Sequence, residues 1–199
     1  MRIVCLGWGS LIWDARELPI QGPWLSDGPF APVEFSRQSG NGRITLVIDE
    51  AATPVQLLWA RMTVSDLSEA MSTLKVREGI TARNWKPLIG NWSATSNAPK
   101  SIPSLQSWAQ QHDADAVIWT ALGPQYTKQG EAKVTRERPP IEWVLEYLVG
   151  LSGATRDDAE GYFRNAPQQI VTEYRRQVEA RLGWTYQGQG TTHTTGEDK

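Results

Sequence analysis

The sequence is poor in the residues that most often betray a function. Across 199 residues it has one cysteine, Cys5, and two histidines, His112 and His193. A single thiol excludes an intramolecular disulfide. The histidines have no metal-ligand spacing with each other or with Cys5, which argues against a zinc site. Neither sign of charge dominates: 20 Lys and Arg stand against 22 Asp and Glu, a formal net charge of -2. That balance points away from nucleic acid and leaves no acidic tail. No apolar run approaches a membrane span, and the first one is interrupted by Gly7 and Gly9 and is too short for a signal peptide. The expectation is a soluble, cytoplasmic protein with neither a nucleic-acid nor a membrane partner; oligomeric state is not legible.

Hydrophobic residues at 40% and charged residues at 21% are an ordinary globular balance. The length suits one domain, or one domain with an appendage. Ten tryptophans are unusual; an aromatic-rich core is the plain explanation, and those within 81–104 could instead wall a pocket.

Ile3 to Leu6 is a short apolar run that reads as a strand, and Gly7-Trp8-Gly9-Ser10-Leu11 follows as a tight turn. Glycine there lets a ligand approach the backbone, and successive N–H groups in such a turn can hold an anion. Residues 12–30 read as a long loop. Val33–Ser39 and Arg43–Asp49 read as a hairpin around Gly40-Asn41-Gly42, with Val55–Met62 as a third strand. Three such strands argue for an antiparallel sheet or small barrel.

Ser65 is a plausible N-cap for a helix whose apolar stripe is Leu67, Ala70, Met71 and Leu74. The next position on that stripe is Glu78, before Gly79. A carboxyl facing the core has its charged form disfavoured, which tunes it toward acid/base work near neutral pH. The plainer alternative is a helix that ends a turn early, with Glu78 exposed or paired with Arg77 or Lys75. Residues 81–103 form a long loop, 104–111 a short helix, and 115–122 a strand broken by Gly123-Pro124. Helical patterns follow from Pro140, through 151–184, and the polar segment 185–199 reads as a disordered tail.

Three of these stretches resemble the gamma-glutamylcyclotransferase-like superfamily. Gly7 to Trp13 is similar to the Gly-Tyr-Gly-Ser-Leu-Ile-Trp loop of its glutathione-specific, ChaC-type branch, with Trp8 in place of tyrosine. Leu74 to Ile80 resembles the segment carrying the catalytic glutamate, which falls on Glu78. Gly123-Pro124-Gln125-Tyr126 is the loosest match, to a Pro-Ser-x-x-Tyr segment whose serine is missing here. The resemblance covers roughly 1–150. It implies an α+β fold with a small, mostly antiparallel β-barrel flanked by helices, and 151–184 as a helical extension.

It also implies an activity: cleavage of a gamma-glutamyl amide to 5-oxoproline and a free amine or amino acid, without a cofactor. Glu78 would be the general acid/base; Gly7, Trp8, Gly9, Ser10, Leu11 and Tyr126 would contact a small gamma-glutamyl substrate. Glutathione, a gamma-glutamyl amino acid and a gamma-glutamyl amine all fit, and the loop 81–104, with Arg83, Trp85 and Trp92, is the expected place of that choice. A non-catalytic binding or interaction module on the same fold is the alternative. A serine hydrolase is disfavoured: no Gly-x-Ser-x-Gly elbow surrounds Ser10, and His112 lies in a polar stretch.

Overall fold

The computed structural model describes residues 1–128 and 130–188. The first apolar run forms β1 (Ile3–Gly7), buried at every position. It is central in a five-stranded sheet of order β2 (Ile20–Leu25), β6 (Leu58–Met62), β1, β8 (Ala116–Thr120) and β7 (Ile89–Ser93). β1 runs antiparallel to β6 and parallel to β8. Its alternate side chains enter two cores: Val4 and Leu6 join one cluster, Ile3 and Cys5 the other. Burial on both faces is why this strand reads as a continuous apolar run rather than an alternating one.

A three-stranded sheet holds β3 (Phe30–Gln38) between β4 (Ile44–Ile48) and β5 (Pro54–Gln56). The expected hairpin around 40–42 is present, with Ser39 N–H donating to the Arg43 carbonyl at 2.8 Å. The expected strand 55–62 is divided at Leu57. Its N–H donates to the Pro29 carbonyl and its carbonyl accepts from Gly28, both at 3.1 Å, so the chain turns a corner there from one sheet to the other. β9 (Tyr126–Thr127) and β10 (Val134–Thr135) make a small third sheet. The fold is α+β as expected, but among the described residues the strands form three sheets and no closed barrel. The corner at Leu57 and the parallel β1–β8 pairing divert the meander before it can close.

α1 (Leu67–Arg77) is capped by Asp66 rather than Ser65: the Asp66 carboxylate accepts from the Glu69 N–H. It buries Ala70 and Leu74 in the core shared with Ile3, Cys5 and Ile118. Truncating Leu74 to alanine would cost about 2–5 kcal/mol. Glu78 follows as C-cap, and Gly79 at φ 64° stops the helix where a side chain would be strained. α2 (Leu105–Gln111) and α3 (Ile141–Gly150) lie where their sequence patterns put them.

α4 (Gly153–Asn165) and α5 (Glu173–Leu182) fall within the segment read as an extension. They are part of the main core, with Phe163 stacked on Phe35 at 4.0 Å between centroids and Val178 fully buried. A boundary at 150 therefore cuts through one core. Residues 185–188 are tied back to α4, the Gln187 N–H donating to the Arg164 carbonyl at 3.1 Å. The remainder of the segment read as a disordered tail, His193 included, lies outside the described residues. No helix among the described residues is long and apolar enough to cross a membrane.

Candidate active site

β1 ends at Gly7 and delivers the following turn to the edge of a cavity of about 250 Å³. The turn closes on itself, Ile12 N–H donating to the Gly9 carbonyl and Asp14 N–H to the Ser10 carbonyl, each at 2.9 Å. That pattern uses the carbonyls and leaves the first amides open. Among the described residues no acceptor takes the N–H of Ser10 or Leu11. Trp8, Gly9, Ser10 and Leu11 all line the cavity. Gly7 does not; a Cβ there would strike Ile12 and Trp24 at 2.8 Å, so its smallness serves packing.

Glu78 lines the same cavity, brought there by the end of α1. Its side chain is 16% exposed. Burial pushes its carboxyl above the ordinary glutamate value of 4.5, against the opposing charges of Arg77 and Arg16. Arg77 connects the acid to the turn. Its guanidinium donates to Glu78 Oε1 at 3.1 Å, to Ser10 Oγ at 3.0 Å and to the Asp14 carbonyl at 2.6 Å. The two expectations for Glu78, inward-facing and paired with Arg77, are thus both met: the pair itself faces inward, with the Arg77 side chain 6% exposed.

Nothing in the chemistry-bearing motifs singled out Arg77, yet the helical stripe did contain the signal. Position 77 follows Leu74 by three and Ala70 by seven, on the buried face. Thr120, at the end of β8, also borders the cavity. Its hydroxyl faces Glu78 without closing a hydrogen bond of normal geometry, and its buried oxygen is otherwise unpartnered. An orphaned hydroxyl beside a desolvated carboxyl suits a polar ligand atom between them.

The tyrosine of the cavity is Tyr162 of α4, not Tyr126. Tyr126 is buried edge-on to Trp143 at 4.9 Å and is not a lining residue. Gly123-Pro124 ends β8, and Gln125 is then captured by β3, donating to Ser36 and accepting from Gln38, which carries Tyr126 away. Trp8 and Tyr162 clasp the backbone of Leu46: the indole N–H donates to its carbonyl at 3.2 Å, and its N–H donates to the Tyr162 hydroxyl at 3.3 Å. A donor-only indole fits that carbonyl well. Burial pushes the Tyr162 phenol up to about 12, so it stays protonated. Gly9 is needed beneath it, since a Cβ there would lie 2.5 Å from the hydroxyl.

Neither Arg83, Trp85 nor Trp92 borders the cavity. Trp92 is buried in β7, its indole donating to the Ser96 carbonyl at 3.0 Å, and Trp85 stacks under Lys75. Within the stretch read as a loop, residues 86–93 form a 3₁₀ turn and a strand; Trp92 is core, and Trp85 packs half-buried against the other core, that of Ile3 and Cys5. His112 is engaged elsewhere with Asp27 at 3.2 Å.

No protein-family model matches the chain, and no match is found among curated proteins.

Proposed function

We propose that the protein is a gamma-glutamylcyclotransferase-like enzyme that releases 5-oxoproline from a gamma-glutamyl amide. The observation that carries this reading is a desolvated glutamate, Glu78, facing the same small cavity as the open amides of Ser10 and Leu11. The reaction needs three things: a folded substrate, a base for its α-ammonium and stabilisation of charge on the γ-carbonyl oxygen.

Glu78 takes a proton from the α-ammonium. The freed amine attacks the γ-carbonyl carbon, forming the lactam C–N bond. The negative charge on the carbonyl oxygen is met by the amides of the turn. Glu78 then returns the proton to the leaving nitrogen as the old C–N bond breaks, and the second proton shed by the attacking nitrogen once the lactam bond has formed passes to the released amine, which departs as an ammonium. No net redox change occurs and no cofactor is consumed. A carboxyl raised above its ordinary value suits both halves of this transfer, because it accepts a proton more readily than an ordinary glutamate and can still give it up to the leaving nitrogen. Arg77 acts as a positioning residue, fixing Glu78 and the turn relative to each other.

A cytoplasmic setting belongs to the same proposal, with the one thiol buried in the core and unavailable for cross-linking. The second reading, a binding module without catalysis, has one observation in its favour: the Arg77 ion pair occupies a Glu78 oxygen. The two readings part on 5-oxoproline release from gamma-glutamyl substrates by the wild-type protein and Glu78→Gln. Release by the first and loss in the second, with folding intact, is the expected result. Release by neither would leave the binding module standing.

A further inference from the structure

Among the described residues, four arginines border the cavity, Arg16, Arg37, Arg43 and Arg77, against two carboxylates, Asp14 and Glu78. Two of the four are accounted for within the protein: Arg77 pairs with Glu78, and Arg16 with Asp14 at 3.2 Å. Arg37 and Arg43 come from elsewhere, the two strands of the hairpin β3–β4 and its turn. Arg37 Nη1 donates to the Gly123 carbonyl at 2.8 Å, and the Arg43 guanidinium lies over the Tyr162 ring at 5.5 Å. Among the described residues neither has a carboxylate within ion-pair distance. Burial, with the nearby charge of Arg136, disfavours the charged form of Arg37, so an arriving anion would relieve it.

The open amides of Ser10 and Leu11 already supply positive character for the glutamyl end of a substrate. A second pair of guanidiniums on a different element is more cation than one carboxylate needs. We infer that Arg37 and Arg43 form a second anion subsite, which takes a carboxylate on the leaving-group side of the substrate. This rests on the gamma-glutamyl reading above and narrows it: the substrate is a gamma-glutamyl amino acid or small peptide with a free carboxylate, and not a gamma-glutamyl amine. The planar guanidinium fork suits a carboxylate better than any other cationic side chain.

The test compares gamma-glutamylalanine with gamma-glutamylalaninamide, which differ in one charge. Binding is measured by titration calorimetry on Glu78→Gln, which holds substrate without turning it over, and 5-oxoproline release is measured on protein with Glu78 intact. The free carboxylate should be preferred about 10- to 100-fold in both binding and kcat/KM. Adding Arg37→Gln and Arg43→Gln should bring the ratio to within about twofold, while Arg37→Lys with Arg43→Lys should keep part of it. The lysine pair also guards against a glutamine pair that does not fold.

Equal binding of the two compounds, or a ratio that survives the glutamine pair, overturns the subsite. Release without discrimination leaves the lactam chemistry standing and removes the subsite. Discrimination in binding without release does the reverse. Neither binding nor release removes both.

Discussion

Two glutamates in this chain are pushed toward the neutral form by burial, and the structure treats them in opposite ways. Glu34, on β3, is 1% exposed and every side of it is occupied. It accepts from the Thr172 hydroxyl, from the Phe35 N–H at 2.8 Å and from the Tyr174 N–H at 3.2 Å, and Arg138 stands 3.6 Å away. Thr172 and Tyr174 are the N-terminal turn of α5, so Glu34 is a clasp between a strand and a helix start, where a carboxylate is favoured. Glu78 has Arg77 on one oxygen and a cavity in front of it. A perturbed carboxyl is therefore no sign of chemistry by itself. What separates the two is room for a reacting atom.

The sharpest way to break this comparison is to neutralise each acid in turn. Glu78→Gln should lower 5-oxoproline release by about 10²- to 10⁴-fold, whereas Glu34→Gln should leave kcat per folded molecule within a few-fold. Equal losses would mean that the distinction is false. Stability should rank them the other way. Glu34→Ala, which strands Thr172, Arg138 and an α5 amide, should cost about 3 kcal/mol in urea unfolding.

Gly9→Ala is expected to cost about 1–3 kcal/mol by overpacking against the Tyr162 hydroxyl. Tyr162→Phe in the same chain should recover part of that loss, since the next ring atom is 3.6 Å from the added Cβ. Recovery in the double variant is the readout, and its absence would place the strain elsewhere.

The smallest expected effect is in the pH dependence of Tm. Glu78 binds its proton more tightly in the folded state than in the unfolded state, so ionisation works against the fold. The stability associated with the neutral form is present below the ordinary glutamate value of 4.5 and is lost as pH rises through the raised one. Glu78→Gln stays neutral throughout. The Tm difference between variant and wild type should therefore shift in the variant's favour as pH climbs from below 4.5 to neutrality. A shift the other way would mean that the Arg77 pair outweighs desolvation. The same raised value predicts an acid limb of kcat/KM above 4.5 that vanishes with Glu78→Gln.

Local features were legible in the sequence wherever one rule dominated. The apolar run at 3–6, the glycine-bounded turn, the hairpin at 40–42 and the α1 stripe leading to Glu78 all follow from period and turn chemistry. β2 was hidden because Gly22 and Pro23 sit inside it, tolerable only on the exposed edge it occupies. β7 was hidden by a flanking turn and by tryptophans that suggest a pocket wall as readily as a core. The corner at Leu57 leaves no mark, since a leucine pair reads as one strand. Tyr162, Arg37 and Arg43 reach the cavity by long-range packing, for which one sequence carries no local signal. Tyr126 misled because its placement depends on Gln125 being caught by β3.

Tyr162 has a consequence for how the protein comes into being. A ribosome delivers the turn at 7–11 well before the residue that covers Gly9, which arrives from α4. At about 5–20 residues per second, synthesis from position 10 to position 162 takes roughly eight to thirty seconds. For the later part of that interval, once position 78 has been made, the nascent chain carries Ser10, Arg77 and Glu78 without the phenol above them, and its early sheet lacks the aromatic layer of Phe163 and Trp184. The cavity is thus sealed from a late-made part of the chain, and a polypeptide released before α4 would hold Glu78 and the turn without the phenol that encloses them.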